Sequence, residues 1–236
     1  MPLLTMDNVT KKCKGITVLN RVNLSVNAGE IVAILGSARS DKTLLLDLIT
    51  GLTKPTDGQI IYRGEPLGAR PLHQYISIGI ARTFHPPLLF ENLTVGENVL
   101  AGTHCRGSWK LTGALHRFFA PCVRKEENLL KYIAMDCLKK AGLADKAGHQ
   151  AKNLSLFEQK RLELARAIAA QPVLLLMDTP ATGLDSHEQN DLKPLLKELT
   201  KSGTTIILTE ENHDFIKDIC TRSLLLNNGT IKPQQT

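Results

Sequence analysis

An α/β fold with a parallel sheet follows from three features of the sequence. Short apolar or β-branched runs at 30–35, 173–178 and 204–209 alternate with longer segments of helical spacing, which is the pattern of βαβ units. The first run ends at Gly36, and residues 42–50 then place Leu44, Leu45, Leu48 and Ile49 at helical intervals, so a strand, a tight loop and a helix follow one another. No internal repeat or low-complexity linker divides the chain, and one compact unit of two lobes is expected.

Before the first βα unit, residues 3–9, 17–19 and 22–26 read as short antiparallel strands closed by the turn Asn27-Ala28-Gly29, with residues 59–62 joining them. They form a small antiparallel β-layer. From Thr94 to about Leu143 the periodicity is helical, broken by the Gly-, Trp- and Pro-containing stretch 107–122. This reads as a helical insertion. The expected division is a core lobe at about 1–93 and 171–236 and a helical lobe at about 94–170. The remaining order is a helix at about 156–170, a buried strand at 173–178, a helix at 186–201, a strand at 204–209, a helix at 213–220 and a hairpin around Asn227-Asn228-Gly229.

With 236 residues and 42% hydrophobic composition the chain can bury a full core, which excludes disorder, collagen and disulfide-stapled scaffolds. Apolar runs such as 31–35 and 173–177 fall far short of the ~20 residues of a membrane-spanning helix. The N-terminus lacks the basic-then-apolar order of a signal peptide, so a cytoplasmic location is expected. Cys13, Cys105, Cys122, Cys137 and Cys220 are odd in number, scattered and free of any C-x-x-C pair, a pattern of reduced thiols rather than disulfides or a zinc site. A net charge of +6 spread over a domain, without a basic stripe and interleaved aromatics, does not predict a nucleic-acid partner. Lys11, Lys12 and Lys14 read as a solvated strand edge.

Gly36 followed six residues later by Lys42-Thr43 has the layout of a phosphate-binding loop, G-x-x-x-x-G-K-[ST], whose backbone N–H groups cradle phosphates at a helix N-terminus. Gly36, Ser37, Ser40, Lys42 and Thr43 are the candidate nucleotide contacts. The last glycine of the pattern is Asp41 here. At ~4 Å and an effective dielectric of ~20, a carboxylate facing a phosphate costs about 4 kcal/mol. The structural alternative is that Ser40 or Asp41 caps the helix. The strand at 173–178 ends in Asp178, an acid suited to holding Mg²⁺ through water, with Thr43 as the second metal-site candidate.

After Asp178 come Thr179 and Pro180-Ala-Thr-Gly183-Leu184-Asp185, a segment that resembles the D-E-P-x-x-G-L-D run of ATP-binding cassette ATPases. Residues Leu154-Ser155-Leu-Phe157-Glu158-Gln159-Lys-Arg161-Leu-Glu163-Leu-Ala-Arg166 resemble the cassette signature L-S-x-G-Q-Q-x-R-L-E-x-A-R. The resemblance thus covers nearly the whole chain. It implies a P-loop NTPase-like cassette fold with a small antiparallel β-layer and a helical insertion lobe. Gly79-Ile-Ala-Arg82-Thr83-Phe84-His85 and the run from Leu89 to Leu100 are similar to the ATPases of branched-chain amino acid importers. The C-terminal extension usual in that subgroup is not seen after the hairpin.

The resemblance also locates substitutions at the chemical positions, and no catalytic residue is intact. Thr179 stands at the glutamate base, Glu211 at the switch histidine that contacts the γ-phosphate, and His85 at the Q-loop glutamine. Cys13 stands at the adenine-stacking aromatic, Arg39 and Asp41 at phosphate-loop glycines, and Phe157 and Glu158 at the glycine and glutamine of the signature. A lost general base typically costs about 10²–10⁴ in rate. His213, two positions past Glu211, is rotated about 200° along a helix start and does not replace the histidine.

Ser155 is the signature serine and a nucleotide candidate, yet Ser155-Leu-Phe-Glu158 also matches the capping box S/T-x-x-E. Glu158 and Asp41 are therefore expected to place the chain's own carboxylates at the two phosphate-facing helix ends. The expected function is that of a nucleotide-binding-subunit-like protein of an ABC importer. It would be a pseudo-ATPase with weak or no ATP binding, acting as a silent or scaffold subunit, and no cofactor is expected. The alternative is an impaired but working ATPase that uses ATP and Mg²⁺ to energise branched-chain amino acid uptake. The partners implied are membrane permease subunits and a homologous ATPase subunit in a dimer, at the inner face of the plasma membrane. A soluble interaction protein with no membrane partner is a third reading.

Overall fold

The computed structural model describes residues 1–36, 41–68, 70–103 and 121–233. Ser37, Arg39, Ser40, Cys105 and the stretch 107–120 lie outside the described residues. The chain forms two compact units, one of residues Met1–His85 with Val173–Thr236 and one of Pro86–Pro172.

The first unit contains two sheets. The antiparallel sheet has the order β2-β1-β4-β5, built from β1 (Leu4–Cys13), β2 (Ile16–Val26), β4 (Asp57–Tyr62) and β5 (Glu65–Pro66). Residues 17–19 and 22–26 are not two strands but parts of the continuous β2. Arg21 takes a left-handed φ of 47°, and the pairing with β1 shifts register on either side of Val9, Val22's partner. The ladder absorbs the irregularity as a bulge instead of breaking. β1 also runs on to Cys13, turning at Lys14 and Gly15, both at positive φ.

The second sheet has the order β10-β9-β3-β8-β7-β6, where β3 is Ile31–Leu35, β6 Ile80–Thr83, β7 Leu174–Asp178, β8 Thr205–Glu210, β9 Arg222–Asn227 and β10 Thr230–Pro233. All pairings are parallel except β9–β10. β3, β7 and β8 are buried along their full length, which is why their centres read as apolar runs, while the polar residues Asp178, Thr209 and Glu210 stand at their carboxyl ends. One core cluster joins Leu4, Met6 and Val26 of the antiparallel sheet to Val32 and Ile34 of β3 and to Leu45, Leu46 and Ile49 of helix α1 (Lys42–Ile49). Helix α2 (Leu72–Ser77) and edge strand β6 were not expected from periodicity. Helix α6 (Ser186–Lys201) starts at Asp185 with a complete capping box to Glu188. Helix α7 (His213–Lys217) ends three residues short of Cys220.

The second unit is helical, with α3 (Val95–Thr103), α4 (Pro121–Lys140) and α5 (Leu156–Ala169). It begins at Pro86, ahead of Thr94, because residues before the helix are tied to it. Asn98 bonds both the N–H and the carbonyl of Phe90, and the Leu93 carbonyl accepts from Ala151 N–H. Gly102 lets α3 approach α5 closely, since a Cβ there would stand 2.2 Å from the Arg166 carbonyl oxygen. Among the described residues no helix is long and apolar enough to cross a membrane. The described cysteines Cys13, Cys137 and Cys220 are free, and burial pushes the thiols of Cys137 and Cys220 up to about 11 and about 12.

Candidate nucleotide site

Parallel pairing sets the carboxyl ends of β3, β7 and β8 side by side. Leu35 is in register with Glu210, and Asp178 with Thr209. Gly36, Asp178-Thr179 and Glu210-Glu211, far apart in sequence, therefore emerge at one sheet edge, the edge where open α/β sheets bind ligands. α1 starts at this edge with Lys42.

The Lys42 side chain is 4% exposed. Its ammonium donates to the Gly36 carbonyl and to Glu211 Oε1, the latter at 3.1 Å. Glu211 itself is 48% exposed. The next residue, Thr43, donates from Oγ1 to Asp178 Oδ1 at 3.2 Å, and Thr209 Oγ1 donates to the same oxygen at 2.9 Å. The other carboxylate oxygen, Oδ2, meets the Arg82 guanidinium at 3.4 Å. Arg82 also pairs with Asp47 of α1 at 2.6 Å and lies over the Phe84 ring. The Asp178 charge is thus compensated within the protein, while Thr43 Oγ1 and Asp178 remain adjacent oxygen donors of the type that suits Mg²⁺.

Thr179 occupies a left-handed φ of 42°, an outlier for a β-branched residue. Its N–H reaches both the carbonyl and the hydroxyl of Thr209, at 3.1 and 3.2 Å. The neighbouring carboxylate, Glu210, is buried and fully committed to backbone. Oε1 accepts from Ala181 N–H at 2.6 Å, and Oε2 accepts from the N–H groups of Glu211 and Asn212 at 3.0 and 3.4 Å.

Asp41 does not cap α1. It sits at the N-cap position, but its side chain makes no capping hydrogen bond and is exposed. Its φ and ψ of −69° and 51° differ from the extended backbone with which Ser155 and Asp185 point their caps at the helix. Cys13 is an exposed thiol at the end of β1, and His85 is exposed beyond β6. His213 is exposed in the first turn of α7, whose N-terminus is capped by Asn212.

In the helical unit the signature segment closes on itself. Ser155 Oγ accepts from Glu158 N–H at 3.3 Å, and Glu158 Oε2 accepts from Ser155 N–H at 3.0 Å. Both halves of the capping box are present. The Lys146 ammonium bonds Glu158 Oε1 and, against the opposing effect of burial, holds this carboxyl below the usual carboxylate range. Phe157, at the signature glycine, carries the Arg161 guanidinium 4.3 Å from its ring centre.

Sequence reasoning missed four participants: Arg82, Thr209 and Glu210 around Asp178 and Thr179, and Lys146 beside Glu158. It also missed that Glu211 pairs with Lys42. None matches a local sequence pattern, because the partners that bring Arg82, Thr209, Glu210 and Glu211 into the site, namely Asp178, Ala181 and Lys42, lie at least 29 residues away in the chain.

Comparison with known proteins agrees with this architecture. Residues 19–182 match the ABC transporter family. The chain is 34% identical over 230 residues to the high-affinity branched-chain amino acid transport ATP-binding protein LivG of Escherichia coli, covering 97% of this chain and 89% of that protein. It is 31% identical over 229 residues to BraF of Pseudomonas aeruginosa, a protein of the same description, with the same coverage. Among solved structures, the ADP conformation of MJ1267, an ATP-binding cassette of an ABC transporter, superposes with a TM-score of 0.83 at 28% identity, covering 98% of this chain and 90% of that one. The sheet order, the site at its edge and the match over most of the length place the chain in one family: it belongs to the ATP-binding cassette ATPases of ABC transporters.

Proposed function

We propose that this protein is a cassette subunit of an importer of branched-chain amino acids or related solutes that no longer turns over ATP, and that it serves as a silent or scaffold subunit. The solute class is supported by the names of LivG and BraF. The loss of turnover rests on one observation: among the described residues, Thr179 stands at the base position and the carboxylate beside it, Glu210, is bonded to backbone. Threonine does not accept a proton at neutral pH, and both oxygens of the adjacent Glu210 are taken by backbone N–H groups. A general base contributes about 10²–10⁴ in rate.

Lys42, Thr43 and Asp178 favour a second reading, an impaired but working ATPase. Under that reading Thr43 and Asp178 would hold Mg²⁺, which would neutralise phosphate charge. Pairing with a second cassette and docking on permease subunits belong to both readings. MJ0796, a bacterial ABC transporter cassette with a TM-score of 0.81 and 27% identity over 99% of both chains, has a dimeric structure.

Phosphate release and thermal unfolding with millimolar Mg-ATP test the proposal, using the natural chain beside a variant carrying Arg39→Gly and Asp41→Gly. Ligand that binds only the folded state raises stability by RT ln(1 + [L]/Kd). The expected result is no phosphate release by the natural chain and a thermal shift confined to the variant. Sustained phosphate release by the natural chain overturns the proposal in favour of the working ATPase.

A further inference from the structure

We infer that Glu211 is an internal counter-anion that occupies Lys42 in place of a phosphate and so acts as a latch on nucleotide entry. This inference rests on the reading of the site as a former nucleotide site, and it adds what holds that site closed.

The two ends of the pair differ in a way that suits a latch. Lys42 is almost fully buried at the start of α1 and fixed between the Gly36 carbonyl and Glu211, whereas the Glu211 side chain is half exposed. The lysine is the stationary part and the carboxylate the movable part. The backbone beneath Glu211 is anchored, because the buried Glu210 carboxylate accepts its N–H and that of Asn212. Asn212 is further held by Gln189 of α6 at 3.0 Å and caps α7 through the N–H groups of Asp214 and Phe215. The carboxylate is therefore presented to Lys42 from a fixed base.

A polyphosphate oxygen reaches the Lys42 ammonium by displacing this carboxylate or by sharing the ammonium with it. Displacement breaks an intramolecular pair whose partner is always present at high effective concentration. Sharing brings like charges together near a buried group, where screening is weak. Either route lowers affinity for the chemical class that the site would otherwise take, a di- or triphosphate. The penalty is specific to phosphates that contact Lys42, so inorganic pyrophosphate is subject to it as fully as a nucleotide.

The test is calorimetric titration of the purified chain with Mg-ATP and, separately, with inorganic pyrophosphate. The natural protein is compared with Glu211→Gln, Glu211→Ala, Lys42→Met and the double variant Glu211→Gln/Lys42→Met. Unliganded melting curves confirm that each variant is folded, and Glu211→Ala serves if Glu211→Gln is not. Removing the charge is expected to tighten both ligands at least tenfold, about 1.4 kcal/mol, and the double variant is expected to show no such gain. Equal affinities in the natural protein and the Glu211 variants overturn the latch. A gain that persists without Lys42 overturns it too. Phosphate release measured on the same samples judges the loss of turnover separately, since a natural chain that hydrolyses ATP refutes that reading whatever the affinity ratio.

Discussion

Arg82 lies 3.4 Å from Asp178 across the β6–β7 strand pair, and both side chains are 4% exposed. The arginine is the counter-charge paired with this acid at a buried sheet edge. Removing one member of such a pair leaves an uncompensated charge in low dielectric, which costs far more than the pair contributes.

Arg82→Met is therefore expected to destabilise the protein by about 3 kcal/mol, read as a fall in the urea midpoint at unchanged slope. Arg82→Met with Asp178→Asn should cost less than the two single changes added together, because the second removes the charge that the first strands. Strict additivity of the two would contradict a direct pairing.

The capping box of α5 predicts a pH dependence. Lys146 holds the Glu158 carboxyl below the usual carboxylate range, so the folded state gives up this proton more readily than the unfolded chain does. The resulting stability is fully present above the unfolded carboxylate value. It is lost as pH falls through the folded value, a window that opens at about pH 5 and extends downward. Glu158→Gln should flatten part of the acid limb of a stability-against-pH curve. It will not flatten all of it, because Glu30 and Asp218 are shifted in the same direction. An acid limb identical to that of the natural protein would show that the pair with Lys146 is not made in solution.

Gly102 offers a packing test far from any charge. A methyl group at this position meets the Arg166 carbonyl oxygen of α5 at 2.2 Å, and backbone cannot give way as a flexible side chain does. Gly102→Ala is expected to cost about 1–3 kcal/mol by overpacking, although alanine is the better helix former by about 1 kcal/mol. A melting temperature that rises on this substitution would contradict a close approach of α3 to α5 at Gly102.

These cases show which parts of the molecule could be read in advance. β3, β7 and β8 were legible because strands buried on both faces carry apolar runs through their centres. β6 was not legible. Its four residues, Ile-Ala-Arg-Thr, contain an arginine that looks like surface until the pairing with Asp47 and Asp178 is known. β2 seemed to be two strands because Asn20-Arg21 interrupts the pattern, and a bulge leaves no compositional trace. Asp41 has the right residue type for a helix cap, but its backbone does not turn the side chain toward the helix. At the site, the motif positions name Lys42, Thr43, Asp178, Thr179 and Glu211, and the structure brings these five to one sheet edge. The pairing of Glu211 with Lys42 escaped, since the sequence alone placed Glu211 only at the switch-histidine position.

The strand order has a consequence for how the molecule is made. β3 lies between β8 and β9, with Ile31 paired to Ile206 and Val32 to Arg222. During synthesis, β3 leaves the ribosome well before both of its neighbours, with β4 to β7 and α1 to α6 made in between. Until they arrive, Ile-Val-Ala-Ile-Leu is an apolar strand with two open edges, a hazard for association with other chains. The centre of the sheet closes only when β8 and β9 are available, and this large sequence separation favours slow folding. A nascent chain stalled before β8 should accordingly be held by chaperones and cut readily by proteases, whereas the finished chain resists both.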